Sequence, residues 1–83
     1  MKKHVKVYMD FFGYGVEDFI PSEISGNRAN DIHHIEPRGM GGSKNKDVIE
    51  NLIALTRDEH TKYEGKSQYK EWLFKIHKEF ILH

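Results

Sequence analysis

Two short segments, 29–35 and the apolar 48–55, flank a stretch with three glycines in four positions, Gly39-Met40-Gly41-Gly42. Glycine at that density cannot sustain a helix, and Pro37 removes a ladder donor, so Arg38 to Asp47 reads as a surface loop that buries almost nothing. Ala29 to Ile35 is then expected as one short strand and Val48 to Leu55, apolar apart from Glu50 and Asn51, as a second. Thr56 follows as a helix N-cap, with Glu59 three positions on to complete a capping box; the helix should run through His60 to about Glu64, where Gly65 stops it. Strand, loop, strand and helix in that order bring residues distant in sequence to one place.

Three imidazoles sit on this plan. His33 and His34 are adjacent in the first strand, where successive side chains point to opposite faces, so the pair can address two different atoms. His60 would cross over them from the helix. His33 and His60 can then hold a divalent cation through neutral imidazole nitrogens, with water in the remaining positions. His34, on the other side of the backbone, can take a proton from water, because an unperturbed imidazole titrates near pH ~6.5. That division of labour is what phosphodiester hydrolysis requires. Asn51 can hydrogen-bond the backbone of the preceding loop and fix its shape. Asp31, two residues before His33 on the same strand face, can orient an imidazole or pair with a lysine. Arg38 can clamp a phosphate from the loop or stay solvated, and the same alternatives apply to Lys44 and Lys46.

Composition narrows the setting. At 83 residues the chain is expected to be a single domain, 1–83, small enough that a metal, a disulfide or a partner is commonly recruited to steady it. It has no cysteine, so oxygen and imidazole are the available metal ligands. Its 13 basic and 13 acidic residues cancel. No bulk field therefore favours nucleic acid, and contact with DNA must come from local placement or a bound cation. No apolar run approaches the roughly 18 residues of a membrane span, and Met1-Lys2-Lys3-His4-Val5-Lys6 lacks the apolar core of a signal peptide, so a cytoplasmic protein without a membrane partner is expected.

The flanks are read from periodicity. Between Lys2 and Ile20, Val5, Val7, Met9 and Phe11 alternate like a strand, while Val5, Tyr8, Met9 and Phe12 fit one face of a helix; both readings stand. Val16, Phe19 and Ile20 read as a core-facing segment. Pro21 to Arg28 is a turn with Gly26-Asn27 supplying positive φ at its tip. Ser67 can open a C-terminal amphipathic helix, about 67–82, whose Tyr69, Trp72, Leu73, Ile76, Phe80 and Ile81 face a core and brace the fold. His4, His77 and His83 have no partner motif and read as solvated or core-edge.

Asp31-Ile32-His33-His34-Ile35, Arg38-Gly39-Met40-Gly41-Gly42, Glu50-Asn51-Leu52-Ile53-Ala54-Leu55 and Glu59-His60 together resemble the HNH endonuclease family, over positions 29 to 64. The resemblance implies an α+β fold: a small ββα-metal (HNH, His-Me finger) domain, here with an N-terminal extension and a C-terminal amphipathic helix. It places His34 as general base, Asn51 as the loop-orienting residue, and His33 and His60 as ligands of one divalent ion, Mg²⁺, Mn²⁺, Zn²⁺ or Ni²⁺. In colicin-type members a further ligand lies one helical turn beyond the last His, which is Glu64 here. Many members also carry two Cys-x-x-Cys pairs on a structural zinc; the matching positions are Ser22 and Ser25, then Thr56 and Glu59, so no structural zinc is expected.

The expected function is a metal-dependent DNA endonuclease acting on double-stranded DNA and leaving 5′-phosphate ends, in a bacterial or phage-infected host, within phage packaging, defence or a mobile element. The alternative is a catalytically weak or inactive HNH-fold module that binds DNA or a protein partner, such as a packaging or toxin-system component. A weaker third reading gives His33 and His60 a purely structural metal.

Overall fold

The computed structural model describes residues 1–37 and 46–82; Arg38, Lys44 and the glycines between them, with His83, lie outside the described residues. The core is a two-stranded antiparallel hairpin of β1 (Asp31–His34) and β2 (Leu52–Leu55), in the register Asp31↔Leu55, Ile32↔Ala54, His33↔Ile53 and His34↔Leu52. Around it pack α1 (Lys3–Phe12), α2 (Arg57–Tyr63) and α3 (Lys70–Ile81). The architecture is a small compact α+β arrangement in which β1, β2 and α2 follow one another as a ββα unit.

All four residues of β2 are fully buried, because the hairpin is covered on both faces. Leu52 and Ala54 join Tyr8 in a cluster on the α1 side, with Ile32, Phe12 and Ile49 packed against it. Ile53 and Leu55 join Ile35 and Leu73 on the α2/α3 side. The strand begins later than the apolar run suggests. Ile49–Asn51 form a single 3-10 turn, from which the Asn51 side chain reaches the Glu36 and Lys46 backbones before pairing starts at Leu52.

The N-terminal segment is helical. Tyr8 and Met9 are buried on the i, i+3, i+4 face, whereas Phe11, which a strand would have turned inward, is 50 % exposed. Val16 and Phe19 do not face the core: both are exposed, and Phe19 instead lies under the Arg28 guanidinium, 5.7 Å from its ring centre. Ile20 alone of that trio packs inward. The turn that follows, closed by the Pro21–Arg28 bridge, has positive φ at Gly26 (+78°) but not at Asn27.

The third helix also differs from expectation. A 3-10 turn at Ser67–Tyr69 precedes it, and its buried residues are Leu73 and His77, while Trp72 remains 41 % exposed and leans on Tyr63. The inward-facing stripe runs from the partly buried Tyr69 through Leu73, Ile76 and His77 to the partly buried Phe80, which leaves Trp72 on its flank, where the indole meets Tyr63 and solvent.

His77 is the polar centre of this core. Its Nδ1 donates to Glu23 Oε1 at 2.7 Å and its Nε2 to the Ile49 carbonyl, while Tyr8 Oη donates to Glu23 Oε2 at 2.6 Å. Both ring nitrogens face acceptors, so the ring is held as imidazolium. Burial works against that charge, but the Glu23 carboxylate and the Ile49 carbonyl outweigh it and raise the pKa above the ordinary histidine value. Burial, with the Glu23 charge next, pushes the Tyr8 hydroxyl far up.

A second polar knot joins Ser22, Ser25, Thr56 and Glu59. Glu59 Oε1 accepts from Ser22 Oγ and from Thr56 N–H at 2.8 Å, Ser25 also bonds Glu59, and Glu59 N–H donates to Thr56 Oγ1 at 3.1 Å. The capping box thus doubles as a tether between the 21–28 turn and α2. Partial burial opposes ionisation of Glu59, but these hydrogen bonds outweigh it and hold its pKa below the ordinary value. Among the described residues no helix is long and apolar enough to cross a membrane.

Two stability predictions follow from these knots, with opposite signs. The folded-state pKa of His77 is raised, so its contribution is complete below about pH 6.5 and is lost as pH rises through the folded value. Urea melts between pH 6 and 9 should show that loss in the wild type and not in His77→Gln, which should also lose about 3–5 kcal/mol at pH 6 by leaving Glu23 buried without its partner. The folded pKa of Glu59 is depressed, so its contribution is present above about pH 4.5 and fades as pH falls. Glu59→Ala should lower stability at pH 7 by roughly 1–3 kcal/mol and flatten the acid limb of the same melts.

Candidate active site

Strand alternation separates the two adjacent histidines. Asp31 and His33 project toward α2, Ile32 and His34 toward α1, and the His34 end of the strand opens into a cleft of about 420 Å³. His4, His33, His34, His60 and Glu64 all line it. Four imidazoles and a carboxylate from three helices or strands and a helix end therefore share one space.

On the α2 side, the His33 and His60 rings meet edge to face with centroids 4.6 Å apart. His60 is held from behind: its Nδ1 lies 3.0 Å from Asp31 Oδ2, and Asp31 is itself gripped by Arg57 at 2.8 and 3.1 Å. Partial burial works against the Asp31 charge, but the Arg57 and His60 hydrogen bonds outweigh it and keep Asp31 below the ordinary carboxylate range. An ionised carboxylate only accepts, so His60 donates from Nδ1 and turns its Nε2 away from Asp31. That Nε2 lies 3.9 Å from Glu64 Oε1, on the exposed C-cap of α2, where Gly65 at φ +68° ends the helix.

His33 is set by burial instead. Burial, with the charge of His60 next, lowers its pKa to about 4, so it is neutral at physiological pH. Two imidazoles and an adjacent carboxylate are a donor set suited to a divalent transition metal or to manganese.

On the α1 side, His34 Nε2 lies 2.6 Å from Asp47 Oδ1, and the His4 ring lies against it with centroids 4.5 Å apart and tilted by 46°. Among the described residues the one set of three His or carboxylate atoms that all lie within 4.8 Å of each other is this one, His4, His34 and Asp47, rather than His33, His60 and Glu64.

Asn51 is buried where the loop leaves and returns. Its Oδ1 accepts from Glu36 N–H at 2.8 Å, and its Nδ2 donates to the Glu36 carbonyl at 3.0 Å and the Lys46 carbonyl at 2.9 Å. Lys46 Nζ adds an ion pair to Glu36 at 3.1 Å. One amide thus clamps both rims of the loop, which sets Asp47 beside His34. Arg38 and Lys44 lie outside the described residues.

Sequence reasoning missed His4 and Asp47. Asp47 belongs to the loop expected to bury almost nothing, yet it is only 9 % exposed, because Asn51 draws the end of that loop onto the hairpin. His4 has no local pattern to mark it; its place depends on how α1 crosses β1.

An NMR titration checks the electrostatics directly. His33 should keep its neutral-ring signals from pH 8 down to pH 5 and titrate near the depressed value of about 4. No family model, no curated protein and no solved structure matches the chain.

Proposed function

We propose that this chain is a metal-dependent endonuclease of the HNH, ββα-metal type, hydrolysing phosphodiester bonds in DNA. The observation that carries the reading is the cleft itself. One rim presents His33, kept unprotonated by burial, and His60, whose Nδ1 is held by Asp31 so that its Nε2 is turned toward Glu64, and the other presents His34 held by a carboxylate. A divalent ion held by His33 and His60, with Glu64 beside them, would supply positive charge to a phosphate and its leaving oxygen.

Every other part of the chemistry is assigned to side chains of the chain. His34 accepts the proton of the attacking water, a role worth about 10²–10⁴ in rate for a positioned general base. Asn51 keeps the loop rims fixed, and displacement of a catalytic group by about 1 Å costs on the order of a hundredfold. The chain has no net charge, so DNA must be engaged at the cleft rather than through a bulk field. That same neutrality favours the second reading, a module of this fold that binds DNA or a protein partner without cutting.

Supercoiled-plasmid nicking with Mg²⁺, Mn²⁺, Ni²⁺ or Zn²⁺ separates the two. The wild type should nick with at least one cation, His34→Ala should be slower by at least about 10²-fold, and the double variant His33→Ala, His60→Ala should lose the cation-supported nicking. Cation-independent DNA binding with no nicking would support the second reading and end the first.

A further inference from the structure

We propose that Asp47 is the positioning residue of His34: a buried carboxylate that fixes the proton of the imidazole on Nε2 and so leaves Nδ1 as the nitrogen that takes the proton of water. This rests on the nuclease reading and assigns the atom that performs its first step.

The geometry decides between two meanings of the His4–His34–Asp47 cluster. Two donors bound to one zinc ion at about 2.0–2.2 Å, spread tetrahedrally, lie roughly 3.3 Å apart. His34 Nε2 and Asp47 Oδ1 are 2.6 Å apart, the length of a charge-assisted hydrogen bond and too close for neighbouring ligands of an ion. The side chains are enclosed, 6 % exposed for Asp47 and 18 % for His34, so the bond is sheltered from competing water. A carboxylate ionised at neutral pH can only accept, which places the hydrogen on Nε2 and makes the remaining nitrogen, Nδ1, the lone-pair site. His4 lies against the ring face at 4.5 Å and limits its rotation.

The three contacts come from different parts of the chain. His34 ends β1, His4 belongs to α1, and Asp47 follows the loop whose rims Asn51 holds through the Glu36 and Lys46 backbones. Asn51 therefore acts on His34 through Asp47, next in sequence to Lys46. Atoms and protons balance: water gives one proton to His34 Nδ1 as its oxygen bonds to phosphorus and the P–O3′ bond breaks, and the leaving 3′-oxygen takes a proton from solvent. The imidazolium, which the Asp47 carboxylate faces, returns its Nδ1 proton to solvent while Nε2 keeps its own throughout.

Asp47→Asn is the informative variant, because its amide can turn an N–H toward Nε2 and force the proton onto Nδ1. The equivalent change beside the catalytic imidazole of serine proteases lowers turnover by about 10⁴. Nicking kinetics and the His34 ring tautomer, read from long-range ¹H–¹⁵N correlations of the metal-free protein at pH 7.5, should be measured on the wild type, Asp47→Asn and Asp47→Glu. The wild type should show the Nε2–H form, and Asp47→Asn the Nδ1–H form, with kcat down at least about 10²-fold and KM within about threefold. Asp47→Glu, which keeps the carboxylate, should regain part of kcat and the Nε2–H form.

If Asp47→Asn nicks as fast as the wild type while His34→Ala does not, the positioning role falls and the nuclease reading stands. If the wild type nicks with none of the four cations, both fall. If Asp47→Asn fails to fold, the wild-type tautomer and Asp47→Glu decide, and an Nδ1–H ring in the wild type overturns the proposal. Binding of one equivalent of Zn²⁺ that moves the His34 signals and is abolished by His4→Ala would show the three side chains to be ligands and would also overturn it.

Discussion

The fully buried carboxylate of Glu23 is the point on which the chain closes. Tyr8 from α1 and His77 from α3 both donate to it, and His77 passes on to the Ile49 carbonyl just before β2. Glu23 N–H in turn donates to the Ala54 carbonyl of β2 at 3.0 Å. Removing any one partner leaves a buried polar group unsatisfied, which costs more than the bond itself contributes. With two short strands and few fully buried apolar side chains, the hairpin is held between α1 and α3 as much by this network as by hydrophobic area. The cleft depends on it, because α1 carries His4 and covers the His34 face of β1.

The histidines share a residue type and differ in everything that decides their chemistry. Burial keeps His33 neutral; Asp31 assigns His60 its proton on Nδ1; Asp47 faces Nε2 of His34; Glu23 and Ile49 together hold His77 charged. Beside His60 and His34 a carboxylate selects the ring nitrogen that donates, and beside His77 a carboxylate helps keep both nitrogens protonated. Orientation of imidazoles by acidic neighbours is thus the recurring device of this small fold.

Ser22, Ser25, Thr56 and Glu59 show how a tether can be made without thiolates. The four positions converge, and Glu59 at their hub accepts what the two serines and the Thr56 backbone donate. The turn is thereby pinned to the start of α2, the helix that carries His60. Each bond contributes about 1 kcal/mol, so such a knot is weaker than a bound metal and shares the task with the Tyr63, Tyr69 and Trp72 ring contacts at the other end of the helix.

Local chemistry alone determined the ββα order. Thr56 and Glu59 make a capping box in any context, Gly65 ends a helix because it tolerates positive φ, and a strand must send His33 and His34 to opposite faces. The apolar run before Thr56 gives a strand, though the 3-10 turn that shortens it answers to Asn51 reaching Glu36 and Lys46, a contact across the loop. The first segment satisfied both periods in sequence, and only docking against Leu52 and Ala54 selected the helix and turned Phe11 outward. The same docking gave His4 its place, the packing of α3 gave His77 its own between Glu23 and Ile49, and the clamped loop placed Asp47. Burial and hydrogen-bond partnership are properties of the assembled core, so the states of the histidines were written there and not in the spacing that first marked them.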